Sequence, residues 1–234
     1  MAETLPYEHD GTRLCGLVEQ PRQPNGRAIM LLHEINGIGD NVRQRARQLA
    51  GLGYLAFVAD LYGDGRAYEG DAAREQMDRL VADTSRFRAR VRAGFDHMLG
   101  LAGVKPERSA AIGYCFGGLA ALELARSGAP AAAVVSFHGL FTTARRARQG
   151  EIGARILACT GALDPLVPPA DVAAFQHEMM EARADWQLIV YGRALHAFTN
   201  RNVIGSTDPR LAYDASADSQ SWAAAMLFLD EALA

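Results

Sequence analysis

The chain has 234 residues, a formal net charge of −3 and 49% apolar residues, the balance of an ordinary globular domain. A domain of that length buries about 70–75% of its unfolded surface, so folding requires neither a disulfide nor a metal. Mild acidity, arginine clusters without interleaved aromatics and the lack of a long apolar run argue against nucleic-acid binding and against a membrane span.

In chain order, Leu5–His9 and Leu14–Glu19 alternate like strands and meet at an Asp10-Gly11 turn. Arg27–Leu32 reads as a buried strand. Asn41–Leu52 has helical spacing, with Asp40 or Asn41 as its cap and Gly53 after its end. Leu55–Ala59 is the next buried strand, and helices follow over Asp71–Leu80 and Ser85–Leu99. Ala110–Ile112 closes a strand at Gly113, and Gly117–Arg126 is a helix of small residues. Ala132–Phe137, Ile156–Cys159 and Leu188–Tyr191 are short apolar strands. Val172–Ala182 and Trp222–Leu233 supply the last helices. Arg43–Arg47, Arg86–Arg92 and Arg145–Arg148 lie in stretches of helical periodicity, which predicts solvated helix faces.

Short apolar strands alternating with helices predict one α/β domain over residues 1–234, a mostly parallel sheet with helices on both faces. Ligands of such sheets bind beyond the C-terminal ends of the strands.

Ala110–Gly118 reads AAIGYCFGG. Gly-x-Cys-x-Gly between a strand and a helix is the nucleophile-elbow pattern with cysteine in place of serine. Gly113 and Gly117 stand where a Cβ would clash with crowded neighbours. The helix N-terminus favours the Cys115 thiolate, and the Phe116 amide becomes one oxyanion donor. The remaining cysteines, Cys15 and Cys159, fall inside strands. An odd count at wide spacing suits a reducing, cytoplasmic compartment rather than a disulfide framework. The N-terminal stretch carries no apolar signal core.

An activated nucleophile needs a base, and the base needs an orienting carboxylate. Asp164 and His196 follow Cys115 in the order such folds require, each in a loop beyond a separate strand. His138 is a rival base, but it precedes Asp164. After the strand at Arg27–Leu32 comes His33-Glu34-Ile35-Asn36-Gly37. The Ile35 amide is the candidate second oxyanion donor, and Glu34 a carboxyl near the thiol.

Five segments together resemble the dienelactone hydrolase family: HEINGIGDN at His33–Asn41, ADLYG at Ala59–Gly63, GYCFGG at Gly113–Gly118, GALDPLVP at Gly161–Pro168 and LHAFTN at Leu195–Asn200. The resemblance implies an α/β-hydrolase domain with a Cys115–His196–Asp164 triad, Glu34 as the glutamate that helps to generate the thiolate, oxyanion donors at Ile35 and Phe116, and no metal or cofactor. The implied reaction is hydrolysis of a small ester or lactone, by a monomer or small homo-oligomer. A non-catalytic binding scaffold and a thiol-dependent acyltransferase are the alternatives. Family members grip a substrate carboxylate with arginines, one of them where this chain has Asn200. Arg66 or Arg74, in the stretch after ADLYG, is the candidate for the other, and Tyr62 and Phe198 are candidate pocket walls. A neutral amide cannot replace a bidentate guanidinium clamp, so a different ester or lactone is as good a candidate as dienelactone itself.

Overall fold

The computed structural model describes residues 3–234. Eight strands form one sheet: β1 (Glu3–His9), β2 (Thr12–Glu19), β3 (Ala28–Leu32), β4 (Leu55–Ala59), β5 (Ser109–Tyr114), β6 (Ala133–Phe137), β7 (Arg155–Gly161) and β8 (Trp186–Tyr191). Their spatial order is β1-β2-β4-β3-β5-β6-β7-β8. β1 and β2 are antiparallel to each other, as are β2 and β4, and every later pairing is parallel. The hairpin turn is the expected Asp10-Gly11, and both residues have positive φ, 52° and 66°. That is the twist a two-residue hairpin needs.

Six helices cover the sheet: α1 (Asp40–Gly51), α2 (Gly70–Val81), α3 (Thr84–Ala102), α4 (Phe116–Arg126), α5 (Pro169–Ala182) and α6 (Ala215–Ala232). One apolar cluster joins Phe87, Val91 and Phe95 of α3 with Ala120 and Leu124 of α4 and Phe175 and Met179 of α5. On the other face, Val42, Ala46 and Leu49 of α1 pack with Ala225, Phe228 and Leu229 of α6. The middle strands β3 to β6 are buried on both sides, which is why their sequences read as unbroken apolar runs.

Two local expectations are corrected. α1 is capped at Gly39 with no side-chain cap bond, because the Asn41 amide is turned to Glu34 instead. α6 starts well before Trp222, where Asp214 accepts from the Ser216 and Ala217 amides.

The arginine clusters are only partly solvated. Arg45, Arg88 and Arg90 are buried, as is Arg126 of α4; Arg45, Arg88 and Arg126 pair with carboxylates, and Arg90 bonds His9, Thr12 and the Leu61 carbonyl. Arg126 bonds Glu123 at 2.9 Å and Glu178 at 2.8 Å, and Arg88 bonds Glu123 at 2.7 Å, which ties α3, α4 and α5 together. Arg145–Arg148 lies in a loop rather than a helix.

β4 lies on one side of β3 and β5 on the other. The chain therefore reverses its winding direction between β4 and β5, and the crevice opens at the C-terminal ends of β3 and β5.

Candidate active site

β3 runs directly into His33, Glu34 and Ile35, and β5 into Cys115. Cys115 has φ 54° and ψ −117°, a conformation that costs a non-glycine residue about 1–3 kcal/mol and persists only where the surroundings enforce it. The surroundings leave no room for relaxation. A Cβ on Gly113 would fall on the Gly117 carbonyl, and one on Gly117 would fall on the Leu32 carbonyl. The glycines thus let the elbow press against β3, as the motif predicts. Phe116 is the first residue of α4, so its amide has no intrahelical acceptor.

His196 Nε2 lies 3.1 Å from Cys115 Sγ, and His196 Nδ1 lies 2.7 Å from Asp164 Oδ2. The other Asp164 oxygen accepts from the Leu166 amide at 2.8 Å. Asp164 and His196 are both buried. The sequence order of the three groups is therefore matched in space. The His196 backbone is clamped by a segment that sequence reading left unassigned: its N–H donates to Arg210 O, and its carbonyl accepts from Ala212.

Burial opposes a charge on His196, but the thiolate of Cys115 and the Asp164 carboxylate outweigh it and raise the imidazole to about 10. His196 is thus held in its charged form at neutral pH.

Glu34 is pushed up by burial, which its hydrogen bonds and the His196 charge only partly offset. Asn200 Nδ2 donates to both Glu34 oxygens, at 2.9 and 3.0 Å, and Asn41 Nδ2 donates to Oε1 at 3.3 Å. Asn200 is therefore a clamp on Glu34, which corrects its assignment as a substrate contact.

Phe198 is corrected too. It is fully buried in the α1/α6 cluster, between His138 and Tyr191. Tyr62 does stand at the site. Its hydroxyl donates to the Ile35 carbonyl at 3.0 Å and its ring stacks on Phe116 at 5.8 Å, which holds the loop after β3 against the start of α4. His33 supports the same loop from below: Nδ1 donates to the Glu34 carbonyl and Nε2 accepts from Leu61.

Both arginines considered for a carboxylate clamp, and Arg201 beside Asn200, are engaged elsewhere. Arg74 bonds Asp78 on the exposed side of α2, Arg66 pairs with Asp64, and Arg201 lies over the Tyr213 ring. A cleft of about 350 Å³ lies between α2, α3 and the start of α4, with Met77, Val81, Phe87, Leu119 and Leu140 along its walls and Arg74 at its edge. Leu119 is one helical turn from Cys115, and Phe87 stacks on Phe116 at 5.4 Å.

Among the described residues, no cluster of three or more His, Cys, Asp or Glu side chains has the arrangement of a metal site, and no helix is long and apolar enough to cross a membrane.

A strained strand-to-helix turn at Cys115, a histidine after the last strand and a carboxylate after the strand before it are the arrangement of an α/β hydrolase. The family model that matches is the dienelactone hydrolase family, over residues 14–233, and the chain belongs to that family. A Yersinia pestis protein named as a carboxymethylenebutenolidase is 26% identical, over 94% of this chain and 83% of its own length. A solved structure described as m3DLH shares 37% identity with a TM-score of 0.93, covering 100% of this chain and 99% of its own. A dienelactone hydrolase-like promiscuous phosphotriesterase, P91, from metagenomic libraries shares 34% identity with a TM-score of 0.88, covering 99% of this chain and 98% of its own. The protein is a hydrolase.

Proposed function

We propose that this hydrolase cleaves a small, uncharged ester or lactone through a thioester on Cys115. The observation that carries this is the linear contact series Cys115 Sγ, His196, Asp164. The thiolate attacks the carbonyl carbon, and the carbonyl electron pair moves onto oxygen, where the Ile35 and Phe116 amides receive it. When the pair returns, the C–O bond breaks and the His196 imidazolium gives its proton to the departing alkoxide. Neutral His196 then takes a proton from water. The hydroxide attacks the thioester, and the thiolate leaves. Asp164 keeps the imidazole in the tautomer that faces sulfur and stabilises its cation. Glu34 is a second carboxyl in reach of the His196 charge and accepts the Cys115 proton when the thiol form is present.

An uncharged substrate is favoured because Arg74, Arg66 and Arg201 all have other partners, while Glu34 contributes a carboxylate to the site. The guanidinium fork at the cleft's edge, Arg74, is already paired with Asp78. The apolar cleft beside α4 suits the hydrocarbon part of such a substrate.

A p-nitrophenyl ester and a lactone panel, assayed with wild type and Cys115→Ala, test the proposal. Loss of turnover in the variant is expected; retained turnover contradicts it. An added alcohol acceptor distinguishes the acyltransferase, which would release a new ester instead of the free acid. A binding scaffold would turn over none of the panel.

A further inference from the structure

His138 is buried, has φ 40° and sits immediately after β6. Its Nδ1 lies 3.1 Å from the Cys115 amide nitrogen, so Nδ1 is an acceptor and the ring proton is on Nε2. Nε2 in turn donates to Thr199 Oγ1 at 2.8 Å. Thr199 is fixed as well: its carbonyl accepts from Arg45 at 3.0 Å, and Arg45 is paired with Asp218. Neither nitrogen of His138 is therefore free to reach the thiol, and the rival-base role is closed to it.

We infer that His138 and Thr199 are positioning residues that hold the strained backbone of Cys115, so that Sγ and the Phe116 amide address the same carbonyl. This rests on the reading of Cys115 as the nucleophile. The Cys115 N–H is shared between the Phe137 carbonyl and the His138 ring. A ladder bond to Phe137 alone would leave the peptide free to tilt. The imidazole supplies a second acceptor, fixed from behind by Thr199.

The device works only with a neutral ring. A protonated Nδ1 would point a proton at the Cys115 amide proton. The site itself maintains neutrality: burial foremost, then the facing His196 ring at 5.3 Å and the Arg45 guanidinium, hold His138 well below the ordinary histidine range. The pair also explains why a histidine stands where a packing residue would suffice: an apolar ring fills the volume but offers no acceptor.

Four variants test this, each assayed as turnover per alkylatable Cys115 thiol with wild type and Cys115→Ala alongside. His138→Phe keeps the volume and removes the acceptor, and His138→Asn restores an acceptor near the Nδ1 position. The expected result for Phe is a fall in kcat of about 10- to 100-fold with KM little changed, the scale on which misplacement by an ångström acts. Asn recovers most of that loss although it packs less well. Thr199→Val gives a smaller fall, reversed by Thr199→Ser, and decides the matter if His138→Phe does not fold. Wild-type kcat in His138→Phe, equal losses in Phe and Asn, or no difference between Thr199→Val and Thr199→Ser would overturn the inference. Undiminished turnover in Cys115→Ala would instead remove the nucleophile assignment on which it rests.

Discussion

His196 stands between Cys115 Sγ at 3.1 Å and Asp164 at 2.7 Å, buried, with its charged form favoured up to about pH 10. A cation held by two partners is a stability element. Its folded value lies above the unfolded value of about 6.5. The stabilisation is therefore complete below pH 6.5 and is lost as pH rises through about 10. The melting temperature of wild type relative to His196→Gln should show a gap at pH 6 that narrows by pH 10, by thermal denaturation. A gap that widens with pH would contradict the ion pair.

Asp164→Asn keeps the volume but removes the acceptor that sets the His196 tautomer. Turnover should fall by roughly 10²- to 10⁴-fold with little effect on substrate binding. Steady-state kinetics on any accepted ester reads this directly.

Glu34 shifts in the opposite sense to a salt-bridged carboxylate. Burial raises it, so the folded state holds its proton more tightly than the unfolded chain does. The buried charge lowers stability increasingly as pH climbs from the unfolded value of about 4.3 through the folded one. Glu34→Gln should consequently gain melting temperature relative to wild type as pH rises from 4 to 8. The same variant should lose the acid limb of the activity profile if Glu34 accepts the thiol proton.

Chain length and charge of the substrate are separate tests of the cleft. Esters with longer acyl chains should be preferred over acetate, and a terminal carboxylate should lower kcat/KM at least tenfold. Met77→Trp, which narrows the cleft from α2, should erase the chain-length preference and leave acetate turnover intact. A profile unaffected by Met77→Trp would move the hydrocarbon elsewhere.

The strands and the grouping of Cys115, His196 and Asp164 were legible because local rules govern them. Buried parallel strands are short apolar runs, and the elbow needs glycines two residues either side of the nucleophile. What was not legible depends on partners far away in sequence. Arg45 reads as one of a solvated arginine row on α1, yet Asp218 and the Thr199 carbonyl bury it. Asn200 reads as a replaced substrate contact, yet its amide faces Glu34, distant in the chain. Phe198 reads as a pocket wall because it adjoins His196, but the chain turns at Ala197, with φ 60°, and sends the ring to the opposite face of the sheet. His138 was visible only as a base in the wrong order; its acceptor role required the distance to the Cys115 amide.

Arg126 marks the cost of the buried charge network. Its loss in Arg126→Met leaves Glu123 and Glu178 buried with fewer donors, which should destabilise the fold by about 3–5 kcal/mol. Chemical denaturation measures it.

The thioester on Cys115 is the central claim, and intact-mass analysis of enzyme rapidly quenched with an activated ester tests it most directly. The account predicts a mass increase equal to the acyl group less one hydrogen, mapped to the peptide that carries Cys115 and absent from Cys115→Ala. An acyl group on another residue, or steady turnover by Cys115→Ala with no adduct, would contradict it.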